Sequence, residues 1–266
     1  PVHPHTLWAV NNLAVLFWED KKLDRSIPLF EECVRLREQQ LGNAHPDTLR
    51  AKANLGVNYH DAGRFEEAIP LLEEAYQDRA SPASLDWLGG KLLAAYVEVN
   101  DTAKAKAIVK RQLELVRAKT APESPQLATE LASYGYLLLT IGACSEAEPY
   151  LRECLQIRQK TMADHWLLFN TQSMLGAALV GQGKPLLSTD KEATMKKYAE
   201  AERLLLSGYH GMKQREAVIP AEGRGRLADA LHRLADLYTA WEKPAKAAKW
   251  QKQLDEAESG DGAKPK

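Results

Sequence analysis

Apolar residues recur along the chain at three- and four-residue spacing, in runs a few helical turns long that are separated by short polar links. In LRAKANLGVNYHDAGRFEEAIPLLEEAY (49–76), Leu55 and Tyr59 stand one turn apart on a helix face, Gly63 marks a break, and Ala68 opens a second helix. No stretch alternates with a period of two. The pattern predicts an all-α chain of roughly thirteen helices.

The pattern also repeats. HPHTL at 3–7 returns as HPDTL at 45–49, 42 residues later. Taking Leu55, Gly56, Tyr59, Gly63 and Ala68 as columns, the chain shows five further copies. They are Leu13, Ala14, Phe17, Lys21, Ser26; Leu92, Leu93, Tyr96, Asn100, Ala105; and Tyr134, Gly135, Leu138, Gly142, Ala147. Next come Leu175, Gly176, Leu179 and Gly183, with the alanine at Ala201 after an insertion of 13, and finally Leu234, Ala235, Tyr238, Glu242, Ala247. The Gly56 column is small in five copies of six, which lets a neighbouring helix come close. The Gly63 column holds Gly three times and Asn once, the residues that best tolerate the left-handed conformation ending a helix. The Ala68 column marks the near-contact of the second helix with the first, where a larger side chain overpacks the pair.

HPxTL reads as a helix start. Pro46 suits the first helical position, where its missing N–H costs nothing, and Asp47 sits at the positive end of the helix dipole. A helix pair of this kind cannot bury its apolar face alone, whereas stacked pairs can, each touching its neighbours. The expected fold is a right-handed α-solenoid of six helix–turn–helix repeats, with first helices lining a concave side. The expected boundaries are about 3–44, 45–83, 84–124, 125–164, 165–218 and 219–257, a single array over 1–257, followed by a flexible polar tail at 258–266. Thr189 with Glu192 fits a capping box, so the insertion is expected to lengthen the second helix of the fifth repeat.

At these columns the chain resembles the tetratricopeptide repeat, and the 42-residue spacing with the link LREQQLGNAHPDTL is similar to the kinesin light chain variety. A narrower resemblance covers the last hundred residues. DHWLLFNTQSMLGAALVGQGK, YAEAERLLLSGYHGMKQREAVIP and LADALHRLADLYTAWEKPAKAAKWQKQL look like the repeats of planctomycete-type bacterial serine/threonine protein kinases. In that family a kinase domain precedes the array. The present sequence holds no VAIK, HRD or DFG, and APE at 121–123 reads as a linker before a helix. The resemblance implies a parent kinase and a non-catalytic role for this chain.

Tetratricopeptide arrays hold extended peptides in the concave groove. Transferred to the first helices here, the groove-facing positions are Trp8, Asn11, Asn12 and Val15; Arg50, Asn54 and Val57; Trp87 and Lys91; Tyr136; Asn170 and Ser173; and Asp229, His232, Arg233 and Asp236. Asn offers a donor and an acceptor to a peptide backbone, Arg and Lys hold carboxylates, and Trp anchors apolar groups. Asn12 and Asn54 share a column, which favours a repeated contact. The alternative is that these are solvated residues or helix–helix hydrogen bonds. With only Arg50 and Lys91 placed for a carboxylate clamp, a terminal-carboxylate specialist is not expected.

Composition narrows the chemistry. Lys plus Arg is 35 and Asp plus Glu is 36 in 266 residues, so no electrostatic reason points to nucleic acid or an acidic membrane. Three cysteines cannot all pair and none lies in C-x-x-C. Cys33 and Cys154 share a column occupied by Ala75 in the second copy, which suggests small buried residues between helices. No histidine has a partner at metal-ligand spacing, and no nucleophile has a base beside it. GRGRLA at 223–228 follows a Pro-containing loop and reads as a helix entry, and GAALVGQGK lacks the lysine spacing of a phosphate loop. No catalytic, metal or cofactor site is expected.

The apolar runs are too short to span a bilayer and no signal peptide is visible, so cytoplasm is the expected compartment, or outside it if a membrane span lies upstream of Pro1. The expected function is a scaffold binding a protein or peptide, with no nucleic acid and no direct membrane contact. The alternatives are a module that oligomerises weakly through its terminal repeats, prompted by Trp241 and Trp250 in the last copy, and an accessory segment of a parent kinase. A peptide-pheromone sensor would carry a DNA-binding head, which this sequence does not contain.

Overall fold

The structure, a computed structural model, describes residues 4–77 and 87–261. Each sequence copy folds as a pair of helices joined by a tight turn. Contacts divide the chain into two units, Pro1–Gln112 and Leu113–Lys266. The first unit holds α1 (Pro4–Glu19), α2 (Leu23–Leu41), α3 (Pro46–Asp61), α4 (Phe65–Gln77), α5 (Leu88–Glu98) and the start of α6 (Thr102–Lys119). The second holds the end of α6, then α7 (Pro125–Thr140), α8 (Cys144–Thr161), α9 (Trp166–Leu186), α10 (Lys191–Gln214), α11 (Gly225–Ala240) and α12 (Pro244–Asp261). Among the described residues there are twelve α-helices, where roughly thirteen were expected for the whole chain, with short 3-10 turns at Glu216–Val218 and Ala221–Gly223 and no strand. His3 of the first HPxTL signal lies outside the described residues.

The turns follow one rule. Lys21, Gly63, Asn100, Gly142 and Glu242, one column of the repeat, all adopt φ between 54° and 74°. The next amide then bonds back five residues: Lys22 N to Phe17 O at 2.8 Å, Arg64 N to Tyr59 O at 2.8 Å, and Lys243 N to Tyr238 O at 2.9 Å. Asp101 N to Tyr96 O and Ala143 N to Leu138 O do the same, which is the Schellman closure that satisfies a helix's last carbonyls. Gly183 departs from the column. It stays helical and is buried because a Cβ there would lie 2.4 Å from the Tyr198 ring, and α9 continues to Leu186. The insertion therefore lengthens both helices of the fifth pair, not the second alone. The cap of α10 is also not Thr189: Asp190 accepts from Ala193 N at 2.9 Å, while the Thr189 hydroxyl turns back to Leu186 O. A carboxylate gains more than a hydroxyl does from the positive helix end.

Within pairs, the small-residue column gives close approach. A Cβ on Gly56, Gly135 or Gly176 would fall within 2.9, 2.6 and 2.6 Å of Leu72, Leu151 and Leu205 respectively. Ala68, Ala105, Ala147, Ala201 and Ser26 are fully buried opposite them. Cys33 and Cys154 are equivalent here too: their thiols point at the carbonyls of Leu7 (3.9 Å) and Ala128 (3.1 Å), and burial pushes both thiols up in pKa.

Between pairs, the contacts are polar and directional. Tyr59 OH donates to Glu31 at 2.7 Å, Tyr96 OH to Glu73 at 2.5 Å, and Tyr238 OH to Glu202 at 2.7 Å, each reaching the second helix of the preceding pair. Lys104 and Lys246 bind the same Glu73 and Glu202 oxygens at 2.8 and 2.9 Å. Arg37 and Arg158, another shared column, cross to the next first helix and donate to Asp47 O (2.8 Å) and Leu167 O (2.9 Å). Both of those helices are capped by histidine: Nδ1 of His45 accepts from Asp47 N, and Nδ1 of His165 from Leu167 N.

The last pair is closed. Trp250 is buried against Tyr209, edge to face at 5.4 Å between centroids. Trp241 donates to Met195 Sδ at 3.0 Å and is covered by Lys243. Trp250 is thus buried and Trp241 half-buried. α12 runs to Asp261, into the stretch read as a tail; residues 262–266 lie outside the described residues.

Two outcomes follow. Lys21→Gly and Glu242→Gly should each stabilise the chain by about 0.5–1 kcal/mol, because glycine removes the left-handed strain of a side chain. Denaturant midpoints check this. Burial and then Glu31 raise the Tyr59 pKa to about 12. Its contribution is therefore fully present below the ordinary value of 10.0 and is lost as pH rises through about 12. Thermal melts of Tyr59→Phe should show a smaller alkaline loss than those of the parent chain.

Candidate functional site

The exposed flanks of the first helices carry the polar and aromatic residues that packing does not consume. In the first unit these flanks belong to α1, α3 and α5. Trp8 is 65% and Trp87 49% exposed. Asn12 is half-buried without a hydrogen-bond partner among the described residues, and Asn11 accepts from Asn54 Nδ2 at a long 3.5 Å. The shared Asn12/Asn54 column thus does not act as one: Asn54 pairs with Asn11. Val57 is buried, and Val15 is half-buried.

The two cations of this face are already engaged. Arg50 pairs with Asp47 of its own first turn at 2.7 Å. Lys91 donates to Asp61 Oδ1 at 2.8 Å. The same carboxylate accepts from Trp18 Nε1 at 2.9 Å, and His60 Nδ1 lies 3.2 Å away. Asp61 therefore clasps α1, α3 and α5 together. Burial opposes its charge, but the bonds from Lys91, Trp18 and His60 win and hold its pKa below the ordinary value. Sequence spacing did not reveal this clasp, because Trp18, Asp61 and Lys91 lie on three different helices.

In the second unit the flanks of α7, α9 and α11 enclose a pocket of about 270 Å³. Tyr136, Leu139 and Thr140 form one wall, Val180 and Lys184 another, and Arg233 and Asp236 the third. A second pocket of about 200 Å³ shares Lys184 and Asp236 and adds Leu187, Tyr198 and Thr239. Arg233 is mostly buried, and one guanidinium nitrogen donates to Ser173 Oγ at 3.1 Å. Its nearest carboxylate, Asp229, is 3.8 Å away, and desolvation pushes the guanidinium pKa down. Lys184 and Asp236 make no ion pair among the described residues. Arg226 lies over the Tyr136 ring at 4.5 Å and binds Asp229 at 2.9 Å.

The remaining sequence-selected residues divide. Ser173 is fully buried, so it orients Arg233 and cannot meet a guest. Asn170 is buried as well, and its Oδ1 has no partner among the described residues. His232 turns to α12, 3.5 Å from Glu258. Lys184 was not selected from sequence: it follows Gly183, which reads as a helix end, and only the continued helix brings it to the pocket. A further pocket of about 320 Å³ lies beside α6 and α8, but its Arg117 is filled by a two-pronged pair with Glu153. Among the described residues no three His, Cys, Asp or Glu side chains converge as metal ligands, and no helix is long and apolar enough to cross a membrane.

Residues 5–80 and 135–166 match models of the tetratricopeptide repeat. No curated protein matches the sequence. A tetratricopeptide repeat protein from Parabacteroides merdae is similar in structure, with a TM-score of 0.61 and 16% identity over 94% of this chain and 79% of that one. BtubC (BKLC) from P. vanneervenii has a TM-score of 0.51 and 16% identity, covering 92% and 94%. A Podosopora anserina protein described as a kinesin light chain with nearly identical TPR-like repeats covers 99% and 100%, at 18% identity and a TM-score of 0.40. At these identities the likeness is one of fold. The described residues form an all-α fold of the tetratricopeptide kind.

The clasp has a measurable signature. Asp61→Asn should melt lower than the parent at neutral pH, and the difference should vanish as pH falls. The stabilisation is present above the ordinary carboxyl value of 3.8 and is lost as pH drops through the lower folded value.

Proposed function

We propose that the chain is a non-catalytic interaction module that binds a peptide or protein segment along its first helices, with its main anchoring point in the α7–α9–α11 pocket. The observation that carries this reading is the pocket where Arg233, held by Ser173 Oγ at 3.1 Å with Asp229 at 3.8 Å, stands beside Lys184 and Asp236, which make no ion pair among the described residues. Tyr136 and Leu139 supply an apolar wall and Asp236 a counter-charge, so the pocket suits a polar segment with one apolar side chain. In the first unit, Trp8, Trp87 and Asn12 are the residues available to a guest, while Arg50 and Lys91 are occupied by carboxylates and Asn11 and Asn54 by each other.

A second reading adds to the first. The resemblance of residues 164–254 to kinase-associated repeats supports a role in bringing partners to a serine/threonine phosphotransferase. On that reading the chain alone turns over no ATP.

Display of random peptides against the intact chain tests the binding role. Enriched peptides should bind Lys184→Ala about tenfold more weakly, the loss of one charge-assisted contact, with melting unchanged. Arg50→Ala should bind as the parent does. An empty screen, or affinities indifferent to Lys184, would sink the pocket as the anchoring point.

A further inference from the structure

Five tyrosines are buried among the described residues. Four have bonded hydroxyls: Tyr59 with Glu31, Tyr96 with Glu73, Tyr238 with Glu202, and Tyr76, which accepts from Gln112 Nε2 at 2.8 Å. Tyr198 is the most buried of the five, yet its hydroxyl has no partner among the described residues. A buried hydroxyl left unbonded is unfavourable. This one belongs to a side chain that lines a cavity, the pocket of about 200 Å³ between α9, α10 and α11. Burial also pushes the Tyr198 phenol up in pKa, so its proton stays on and can be donated.

The groups around this cavity divide into donors and acceptors. Lys184 on α9, like Tyr198 on α10, donates. On α11, Asp236 and Thr239 stand three residues apart on one helix face. Asp236 accepts, and Thr239 spends its own proton on Ala235 O at 2.9 Å, so it too meets a ligand as an acceptor. Leu187 and Ala240 complete the wall with apolar surface. Lys184 and Asp236 line the same cavity without forming an ion pair among the described residues. A lone anion here would be repelled by Asp236 and a lone cation by Lys184, whereas a ligand carrying both charges close together satisfies both. The cavity exceeds one water, at about 30 Å³ each, and is smaller than those that hold drug-sized ligands. We infer that this pocket binds a small zwitterion, a free α-amino acid with an aliphatic side chain. Its carboxylate accepts from Lys184 and the Tyr198 hydroxyl, its ammonium donates to Asp236 and Thr239, and its side chain rests on Leu187 and Ala240. Lys184 and Asp236 also border the α7–α9–α11 pocket, but Tyr198 and Thr239 border only this one of the two.

Calorimetric titration of the full chain with L-alanine, L-valine and L-leucine tests this. At least one should bind. N-acetyl-leucine and isoamylamine, each lacking one of the two charges, should bind at least about tenfold more weakly than leucine. So should the tripeptide leucyl-glycyl-glycine, whose ammonium and carboxylate are too far apart. Tyr198→Phe should weaken amino-acid binding about tenfold and, without ligand, melt above the parent, because it removes the unbonded hydroxyl. Asp236→Asn, at an exposed position, should weaken binding about tenfold with melting unchanged. Lys252→Ala, on α12, should change neither. No binding of the three amino acids, equal or tighter binding of the tripeptide or the acetylated form, a lower melt for Tyr198→Phe, or affinities indifferent to Tyr198 and Asp236 would each overturn the inference. Displayed peptides that bind through Lys184 while the amino acids do not would overturn it too, and would leave the peptide anchoring point standing.

Discussion

The contact on which the structure depends is the close approach inside the pairs α3–α4, α7–α8 and α9–α10, where Gly56, Gly135 and Gly176 receive Leu72, Leu151 and Leu205. At 2.6–2.9 Å there is no space for a Cβ, so the two helices are held at a separation that one methyl group would change. That separation requires a turn of fixed geometry between them. The left-handed residue and the five-residue back-bond supply it, even where the sequence offers Lys21 or Glu242 in place of glycine. Packing wins over local preference there: the strain of about 1 kcal/mol is small beside the buried apolar surface it secures.

A pair built this way leaves apolar faces that only another pair can cover, and the polar contacts decide how the neighbours align. A hydrophobic face alone would tolerate sliding. The Tyr–Glu bonds and the arginines reaching Asp47 O and Leu167 O are directional, and they recur in register. The same logic shapes the exposed flanks. In the first unit the charges are consumed in holding helices together, with Asp61 collecting Trp18, His60 and Lys91. In the second unit Lys184 and Asp236 make no ion pair among the described residues, and Arg233 is held by Ser173.

The insertion explains much of that difference. By passing through Gly183 as a helix, α9 gains the turn that carries Lys184 and Leu187 toward α11, and it builds the pocket shared with Thr239. Tyr198, on the lengthened α10, occupies the space beside Gly183 and keeps the glycine from acting as a stop.

The repeat was legible in the sequence because its physics is local and periodic. Helix faces, small-residue columns and the turn position each depend on a few residues at fixed spacing, so Gly56, Gly63, Ala68 and Cys33 could be assigned from their copies. The candidate site was legible only in part, because exposure and partnership depend on what another helix brings. Spacing marked Arg50 and Lys91 as available, yet carboxylates at Asp47 and Asp61 bind them. It marked Ser173 as exposed, yet α11 buries it under Arg233. Trp241 and Trp250 looked like an open end until α10 covered them. Which side chains remain free for a guest is a property of pairs of helices distant in sequence, and one-dimensional spacing does not contain it.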